Sequence, residues 1–415
     1  MKPRVLLAID RPGWAFDNIA QALVRHLSDE FAFTVTPYPE IQPCTTDVLV
    51  SFWWPSAARN RAKAQAKAAI ACFYDETSWK GEFAPRQLMG MRNRVDAIGV
   101  SSDRIRAGLN GQAGALPVGV VEDGVDCALF APVPLPAKFT VGWVGNSKHS
   151  TGANPPDVKG LPLIRQACAS AHATLLVRDA QEGVWPHARM PEFYRDVSVQ
   201  VCGSLCEGTP NPVLEAMAMG RPVITTDVGI VRGLVQHGVN GWIVDRTPDA
   251  LAAAVRTAQA LPRAELEAMG RAAREAAEQH DWRIKAEAWR ALLRETAKRA
   301  GLTWSPPAPR PKSTDRSADV TAFVISSGEP SRADCLARVA QQDMRAGVAE
   351  IVNVTPMDRA FQQMLDWCET PFYIQVDADM LLEPGAGRTL VEAIEAAPPD
   401  VAMVVGWLWG DAEEQ

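Results

Sequence analysis

Short apolar runs recur along this chain, and most are followed by a turn and then a helical segment. Residues 5–9, 47–51, 69–73, 97–101, 139–144, 173–177, 197–202 and 222–226 each have strand length and apolar character. Strands that alternate with helices build parallel sheets, because each parallel connection has to cross back over a sheet face. The pattern restricts the chain to the α/β class. It stops at Trp304-Ser305-Pro306-Pro307-Ala308-Pro309-Arg310-Pro311-Lys312-Ser313, a polar and proline-rich stretch that reads as an extended tether. Beyond it the pattern restarts, with strands expected over 320–325 and 372–376 and a helix over 333–341.

One stretch carries most of the candidate chemistry: Cys206-Glu207-Gly208-Thr209-Pro210-Asn211-Pro212-Val213-Leu214-Glu215-Ala216-Met217-Ala218-Met219-Gly220. The apolar run 197–202 leads into it as a buried strand, and Gly208 and the prolines mark a loop turning into a helix. Thr209 is the expected N-cap and Pro210 the expected first helical residue. Val213, Leu214, Met217 and Ala218 give the helix an apolar face, which puts Glu215 near its first turn. Exposed N–H groups and the helix dipole favour an anion there. Such a start can take a diphosphate, and a carboxylate beside it can hold sugar or ribose hydroxyls. Glu207 falls on the loop at the carboxyl end of a strand, where open α/β sheets bind ligands. Spacing alone also fits a plain loop-to-helix turn with two solvated glutamates.

Length and composition narrow the class further. A chain of 415 residues can form two or three domains with substantial cores. Its 47% apolar and 22% charged residues match a soluble enzyme, and its net charge of −7 argues against general nucleic-acid binding. No apolar run approaches a membrane span; the closest, 401–409, reads as a strand. The run 5–9 behind Met1-Lys2-Pro3-Arg4 is too brief for a signal peptide. The eight cysteines are scattered, and Cys202 and Cys206 have no pair of Cys or His nearby, so reduced thiols in the cytoplasm are expected rather than a zinc site.

In the first strand–helix unit, Asp17 or Asn18 is expected to cap a helix carrying Ile19, Leu23, Val24 and Leu27. Gly13 is the only glycine of the loop between them, and no G-x-G-x-x-G supports dinucleotide binding. Arg59, Arg61, Lys63 and Lys67 lie on an alanine-rich helical stretch. They read as a solvated basic face, or as peripheral contact with a membrane surface or an anionic acceptor.

Glu207 to Glu215, followed by Ala-Met-Ala-Met-Gly-Arg-Pro-Val-Ile, resembles the donor-site signature of family-4 retaining glycosyltransferases. Further segments carry the likeness, which covers roughly residues 1–300 and is densest over 120–245. Val120-Val121-Glu122-Asp123-Gly124-Val125-Asp126-Cys127-Ala128-Leu129-Phe130-Ala131-Pro132 resembles the family's end of its first domain, with Asp123 in place of the usual asparagine. Met190-Pro191-Glu192-Phe193-Tyr194 resembles its short helix before the donor strand. Thr226-Asp227-Val228-Gly229 and the stretch 235–244 match the next two segments, with Arg232-Gly233 where the family usually has Pro-Glu. His237 reads as a surface turn residue.

The resemblance implies the GT-B fold: two facing Rossmann-like domains with the donor in the cleft. The expected division is 1–135 for the acceptor-side domain, joined by a crossing helix over 281–300, and 136–280 for the nucleotide-sugar domain. The implied donor is a nucleotide-diphosphate sugar, transferred with retention to an acceptor hydroxyl on a glycan, a lipid-linked glycan or another molecule. Glu215 would hold the ribose hydroxyls and Glu207 those of the transferred sugar. Lys159 and the helix start, with Gly208, Thr209, Asn211, Pro212 and Val213, would hold the diphosphate. Asn146 stands where the family usually has an arginine, leaving Lys148 as a substitute cation; Gly13 would meet acceptor or sugar. Family members often place a histidine at a strand end where this chain has Tyr74 and Asp75, which makes Asp75 the substitute catalytic candidate. No metal or other cofactor is required in this site.

Asp377-Ala378-Asp379, after the buried run 372–376 and before Met380-Leu381-Leu382-Glu383-Pro384, resembles the nucleotide–metal motif of single-Rossmann (GT-A, family-2-like) glycosyltransferases. Residues two apart in an extended chain point the same way, so both carboxylates can meet one Mn²⁺ or Mg²⁺ ion. After a linker over 301–318, residues 319–415 are therefore expected to form a partial GT-A-like module, either truncated or vestigial, or else continued in a longer natural protein by the half that would hold the acceptor pocket. Two rival functions share the main features: a non-catalytic sugar-nucleotide or glycan-binding protein, and a two-domain epimerase or phosphorylase.

Overall fold

The computed structural model describes residues 2–44, 46–75, 78, 84–109, 111–149 and 157–304, with Ala84 and Pro85 by backbone alone, and the backbone of three strands beyond. It divides into two compact units, Met1–Pro306 and Pro307–Gln415.

The first unit holds two parallel sheets. β1 (Arg4–Ile9), β2 (Ala32–Pro37), β3 (Val48–Ser51), β4 (Ala68–Phe73), β5 (Ala97–Val100) and β6 (Val118–Val120) form one, in the order β2-β1-β3-β4-β5-β6. β7 (Thr140–Gly145), β8 (Thr174–Asp179), β9 (Val199–Cys202), β10 (Val223–Thr225) and β11 (Gly241–Ile243) form the other, in the order β11-β10-β9-β7-β8. Around the first sheet lie α1 (Ala15–Leu27), α2 (Ala57–Ala64), α3 (Ala84–Arg92) and α4 (Asp103–Gly108). The second lobe contributes α5 (Leu161–Ser170), α6 (Met190–Arg195), α7 (Asn211–Ala218), α8 (Val231–Leu234), α9 (Pro248–Ala260) and α10 (Arg263–Glu278). α11 (Trp282–Arg299) follows, capped by Asp281, whose side chain accepts from the Arg283 N–H.

α11 crosses back onto the first sheet because its apolar stripe matches a strip of small residues there. Trp289 and Leu293 are fully buried in the core that also holds Val5, Leu7, Ile70 and Phe52. A Cβ at Gly119 would stand 3.1 Å from Leu292, and one at Gly99 3.6 Å, so glycines in β5 and β6 give that side chain its seat. Glu30, 1% exposed, is held by Arg290 and Arg294 of α11 and by the Trp304 indole N–H at 3.2 Å. Burial opposes its charge, and the two guanidiniums outweigh that and keep its carboxyl below the usual range.

The irregular crossing between the sheets needs donors for its carbonyls. Arg274 donates to the carbonyls of Cys127, Phe130 and Ala218 at 3.1, 2.9 and 2.8 Å. Arg221, fully buried, donates to those of Val133, Pro134 and Tyr194 at 2.7, 3.1 and 3.0 Å. Burial pulls its pKa down to about 10.

Several local expectations need correction. β2 does not announce itself in sequence: it is an edge strand, its side chains are exposed or half-buried with none fully buried, and its apolar signal is weak. α1 begins after Trp14 rather than at a capping Asp17 or Asn18; Asp17 sits in the first turn and accepts from the Gly13 N–H at 2.7 Å. α7 begins at Asn211, after Pro210, with no side-chain cap, so Thr209 is not its N-cap. Glu215 consequently lies beyond the first turn.

The second unit shows three parallel strands, β12 (Val320–Ser326), β13 (Gly347–Val352) and β14 (Phe372–Asp377), in the order β13-β12-β14. Asp377 closes β14, in register with Ile325. Asp379, the helix over 333–341 and the strand over 401–409 lie outside the described residues.

Candidate functional site

β9 delivers the chain to the centre of the second sheet and releases it at Gly203, at the carboxyl end of the strand. Two glycines let separate segments converge there. Gly160, with φ +71°, packs so tightly that a Cβ would lie 2.2 Å from the Gly203 carbonyl oxygen. This brings the Lys159 loop against the β9 loop. Gly208 packs against the first lobe: a Cβ there would stand 2.0 Å from Ser101 Oγ and 2.5 Å from the Tyr74 carbonyl. The β9 loop is thus seated on the carboxyl ends of β4 and β5. Nearby, Arg104 donates to the Asp227 carbonyl and carboxylate at 3.1 and 3.2 Å, also between the lobes.

Lys159 Nζ lies 2.6 Å from Glu207 Oε1, and Ser204 Oγ donates to the same oxygen at 2.7 Å. Both charged side chains keep an exposed margin, 23% for Lys159 and 14% for Glu207, so the pair borders open space. Burial disfavours the ammonium, but the charge and hydrogen bond of Glu207 outweigh it and hold the Lys159 pKa above its usual value.

Glu215 is more enclosed, at 8% exposure. Tyr194 donates its hydroxyl to Oε2 at 2.7 Å, and His187 Nε2 meets Oε1 at 2.9 Å. Phe130, from the crossing, packs on the His187 ring with centroids 5.2 Å apart. Burial works against a charged imidazole, yet Glu215 outweighs it and raises the His187 pKa. A carboxylate held this way keeps a fixed direction and has little freedom to act as a base.

The start of α7 is less available to an anion than its sequence suggests. The N–H groups of Asn211 and Val213 already donate to the carbonyls of Thr209 and Pro210, at 3.0 and 2.8 Å, and Pro212 has none. The Val213 side chain is fully buried in the second-lobe core. Asn211 turns its side chain to the carboxyl of Asp123 in the first lobe, and the Thr209 hydroxyl accepts from the Asp123 N–H at 3.3 Å.

The remaining candidates occupy both rims. Asn146 follows β7; its Oδ1 accepts from Gln181 Nε2 at 2.6 Å and the Lys148 N–H at 3.1 Å, while the Lys148 side chain is exposed. Asp75 follows β4 and accepts from the Ser78 N–H at 2.5 Å. Gly13 is exposed, with φ +75° and open space where a Cβ would be. His237 sits in an exposed turn, its Nδ1 3.2 Å from the Ile243 nitrogen, as a turn residue would.

Three side chains beside the candidate residues are not legible in the sequence as their neighbours. His187 and Tyr194 are the partners of Glu215. His149 is the third: it follows Lys148 and is half-buried among Lys159, Glu207 and Asp75, whose charges act on it. Burial, then the Lys159 charge, lower its pKa. The resemblance puts a histidine at a first-lobe strand end, but the sole histidine among the described residues of that lobe is His26 on α1, whereas His149 comes near Asp75 from the second lobe.

Residues 169–260 match the family described as Glycosyl transferases group 1. A lipopolysaccharide core biosynthesis mannosyltransferase, LpsB of Rhizobium meliloti, is 29% identical over 178 residues, covering 35% of this chain and 49% of that protein. LpcC of Rhizobium leguminosarum bv. viciae, with the same description, is 25% identical over 36% of this chain and 50% of its own. The chain spans about half the length of these relatives. Among solved structures, sucrose-phosphate synthase from Thermosynechococcus elongatus superposes with a TM-score of 0.57 at 17% identity, over 71% of this chain and 99% of the other. Anabaena HepE, solved in complex with UDP and glucose, gives 0.56 at 15% identity, over 71% and 100%. These likenesses establish the fold as two parallel-sheet Rossmann-like domains of the GT-B type.

Proposed function

We propose that this chain is a glycosyltransferase that moves a sugar from a nucleotide-diphosphate donor to an acceptor hydroxyl with retention of configuration. The observation that carries the reading is the pair of glutamates on either side of the β9–α7 turn. Glu207 pairs with Lys159 next to Gly208, where the β9 loop packs on the first lobe, and Glu215 is aimed by Tyr194 and His187. This turn lies within the segment that matches group 1 glycosyl transferases.

In this reading Glu215 takes the ribose hydroxyls and Glu207 those of the transferred sugar. Lys159 turns from Glu207 to the diphosphate as the leaving group gains charge, joined by the exposed Lys148. A cation already positioned where negative charge develops lowers the barrier without reorganising solvent. His149 and Asp75 stand near enough to the pair to orient an acceptor hydroxyl, whose proton the departing phosphate can take. The site needs no metal. Since LpsB and LpcC are described as mannosyltransferases and HepE was solved with UDP, GDP-mannose and UDP-glucose are the first donors to try.

A glycan or lipid-linked glycan is the acceptor class we favour. Two of the four basic residues near α2 are engaged, Arg61 with Asp96 and Lys67 with Asp47, which leaves Arg59 and Lys63 exposed for peripheral membrane contact. Among the described residues no helix is long and apolar enough to cross a membrane.

One observation favours binding without turnover: Lys159 is already neutralised by Glu207. Thermal unfolding against a panel of nucleotide-diphosphate sugars, with and without Mn²⁺, separates the readings. A ligand at about 100 times its dissociation constant stabilises by about 2.7 kcal/mol. Metal-independent stabilisation that Glu215→Ala abolishes supports the main site, and product formation then decides between transfer and binding. Stabilisation that needs Mn²⁺ and disappears in Asp379→Ala moves the donor to the second unit and overturns the proposal.

A further inference from the structure

The helices of the first lobe fall on two sides of its sheet. α1 and α11 share one core with Leu7, Val50 and Cys72, whereas α2, α3 and α4 share the other with Leu6, Leu49 and Phe73. Successive residues of a strand point to opposite faces, which is why Leu6 and Leu7 part company. The two sides differ in charge. On the α1–α11 side, Arg25 pairs with Asp126, Arg290 with Asp29 and Arg294 with Glu30. On the other side, residues 57–109 hold ten Lys or Arg against five Asp or Glu, in a chain whose net charge is −7. Arg61 and Lys67 are taken by Asp96 and Asp47, Arg104 by Asp227, and Arg106 by Asp103. Arg59, Lys63 and Arg86 are exposed and have no carboxylate partner among the described residues.

Packing aims these cations outward. Asn60, fully buried, donates to the hydroxyls of Ser51 and Ser56 at 3.2 and 3.0 Å. That seat turns Arg59 and Lys63, one helical turn apart, away from the sheet. α3 buries Leu88 and Met91 and presents Arg86 and Met89 on its outer side. Arg61 donates to the Arg94 carbonyl, just past α3, at 3.0 Å, and the two helices lie side by side. Met89 is 60% exposed, more than any other large apolar side chain among the described residues.

Unpaired cations beside an exposed thioether suit a surface that is anionic at its edge and apolar just beneath, which is the profile of a bilayer with acidic headgroups. A polyanion in water would satisfy the cations and leave Met89 uncovered. We propose that the α2–α3 face docks on an anionic lipid bilayer, with Arg59, Lys63 and Arg86 against headgroup phosphates and Met89 at the edge of the acyl chains. The docking face extends to a second helix, with an apolar anchor, the contact favoured above for α2. It holds whether or not the chain transfers sugar.

Flotation of the full chain with vesicles of phosphatidylcholine, alone or mixed with phosphatidylglycerol, tests the docking. The native chain should bind only the mixed vesicles and leave them at high salt, because salt screens the surface charge. Arg59→Glu/Lys63→Glu/Arg86→Glu should weaken binding by about a hundredfold or more, taking each cation near an anionic surface as about fivefold. Met89→Ser, which keeps the charge, should weaken it several-fold. Reversal of Lys138, Arg271 and Lys298 to Glu, exposed elsewhere on the first unit, changes the net charge equally and should cost far less. No binding by the native chain at low salt, equal binding to neutral vesicles, equal losses in the two triple variants, or unchanged binding in Met89→Ser overturns the proposal. So does a native chain that ignores vesicles but is held on heparin through the same three positions, since the partner would then be a soluble polyanion. Should the triple reversal fail to fold, Arg59→Gln/Lys63→Gln/Arg86→Gln is read in the same way.

Discussion

Tyr194 donates its hydroxyl to Oε2 of Glu215 at 2.7 Å, joining the short helix before β9 to the helix after it. The contact fixes the direction of a carboxylate that is only 8% exposed, and His187 takes its other oxygen at 2.9 Å. Tyr194→Phe keeps the packing and leaves Oε2 short of a donor. The expected cost is about 1–3 kcal/mol of stability, with UDP binding weakened several-fold. Calorimetric unfolding and UDP titration read both effects; an unchanged affinity would take Tyr194 out of the site's support.

The Lys159–Glu207 contact predicts a pair of unequal phenotypes. Glu207→Ala should lower turnover about tenfold or more while nucleotide binding survives, since sugar placement is lost but the diphosphate site remains. Lys159→Met should cut turnover by about a hundredfold, because it removes the cation facing the developing charge. Steady-state kinetics with the donor found in the panel measure both. Unchanged kinetics in Glu207→Ala removes that residue from the reaction.

The His187 pKa lies above its ordinary 6.5, since Glu215 outweighs the burial that opposes its charge. Its contribution to stability is therefore complete below about 6.5 and disappears as pH rises through the folded value. The midpoint difference between the native chain and His187→Gln should be largest in mild acid and shrink toward alkaline pH. A difference that is constant across that range would show that the imidazole titrates alike in the folded and unfolded chain and that Glu215 does not hold its proton.

Gly208→Ala tests the seating of the β9 loop on the first lobe. The added methyl would meet Ser101 Oγ at 2.0 Å and the Tyr74 carbonyl at 2.5 Å, and the second of these is backbone. About 1–3 kcal/mol of destabilisation is expected, along with weaker nucleotide binding. Ser101→Gly should restore only part of the loss, because the Tyr74 carbonyl remains. Full restoration would mean that the loop does not bear on the β4 backbone.

Much of this chain is legible as sequence. The alternation of apolar runs with amphipathic segments placed eight of the eleven strands found among the described residues of the first unit, because buried parallel strands must be continuously apolar; β2, β6 and β11 are missing from that list. The crossing helix expected over 281–300 is found as α11, with Trp282, Trp289, Leu292 and Leu293 buried along one side. Local composition also located the turn carrying Glu207 and Glu215. Only the tertiary structure decided what those glutamates touch. Lys159, Tyr194 and His187 lie 48, 21 and 28 residues away in sequence from their partners, and no local periodicity encodes such distances. The same holds for Asp123, which reads as an ordinary Asp-Gly turn until the second lobe buries it against Thr209 and Asn211. Secondary structure follows from the pattern of neighbours along the chain, whereas the charge state and direction of a side chain follow from whichever segments fold over it.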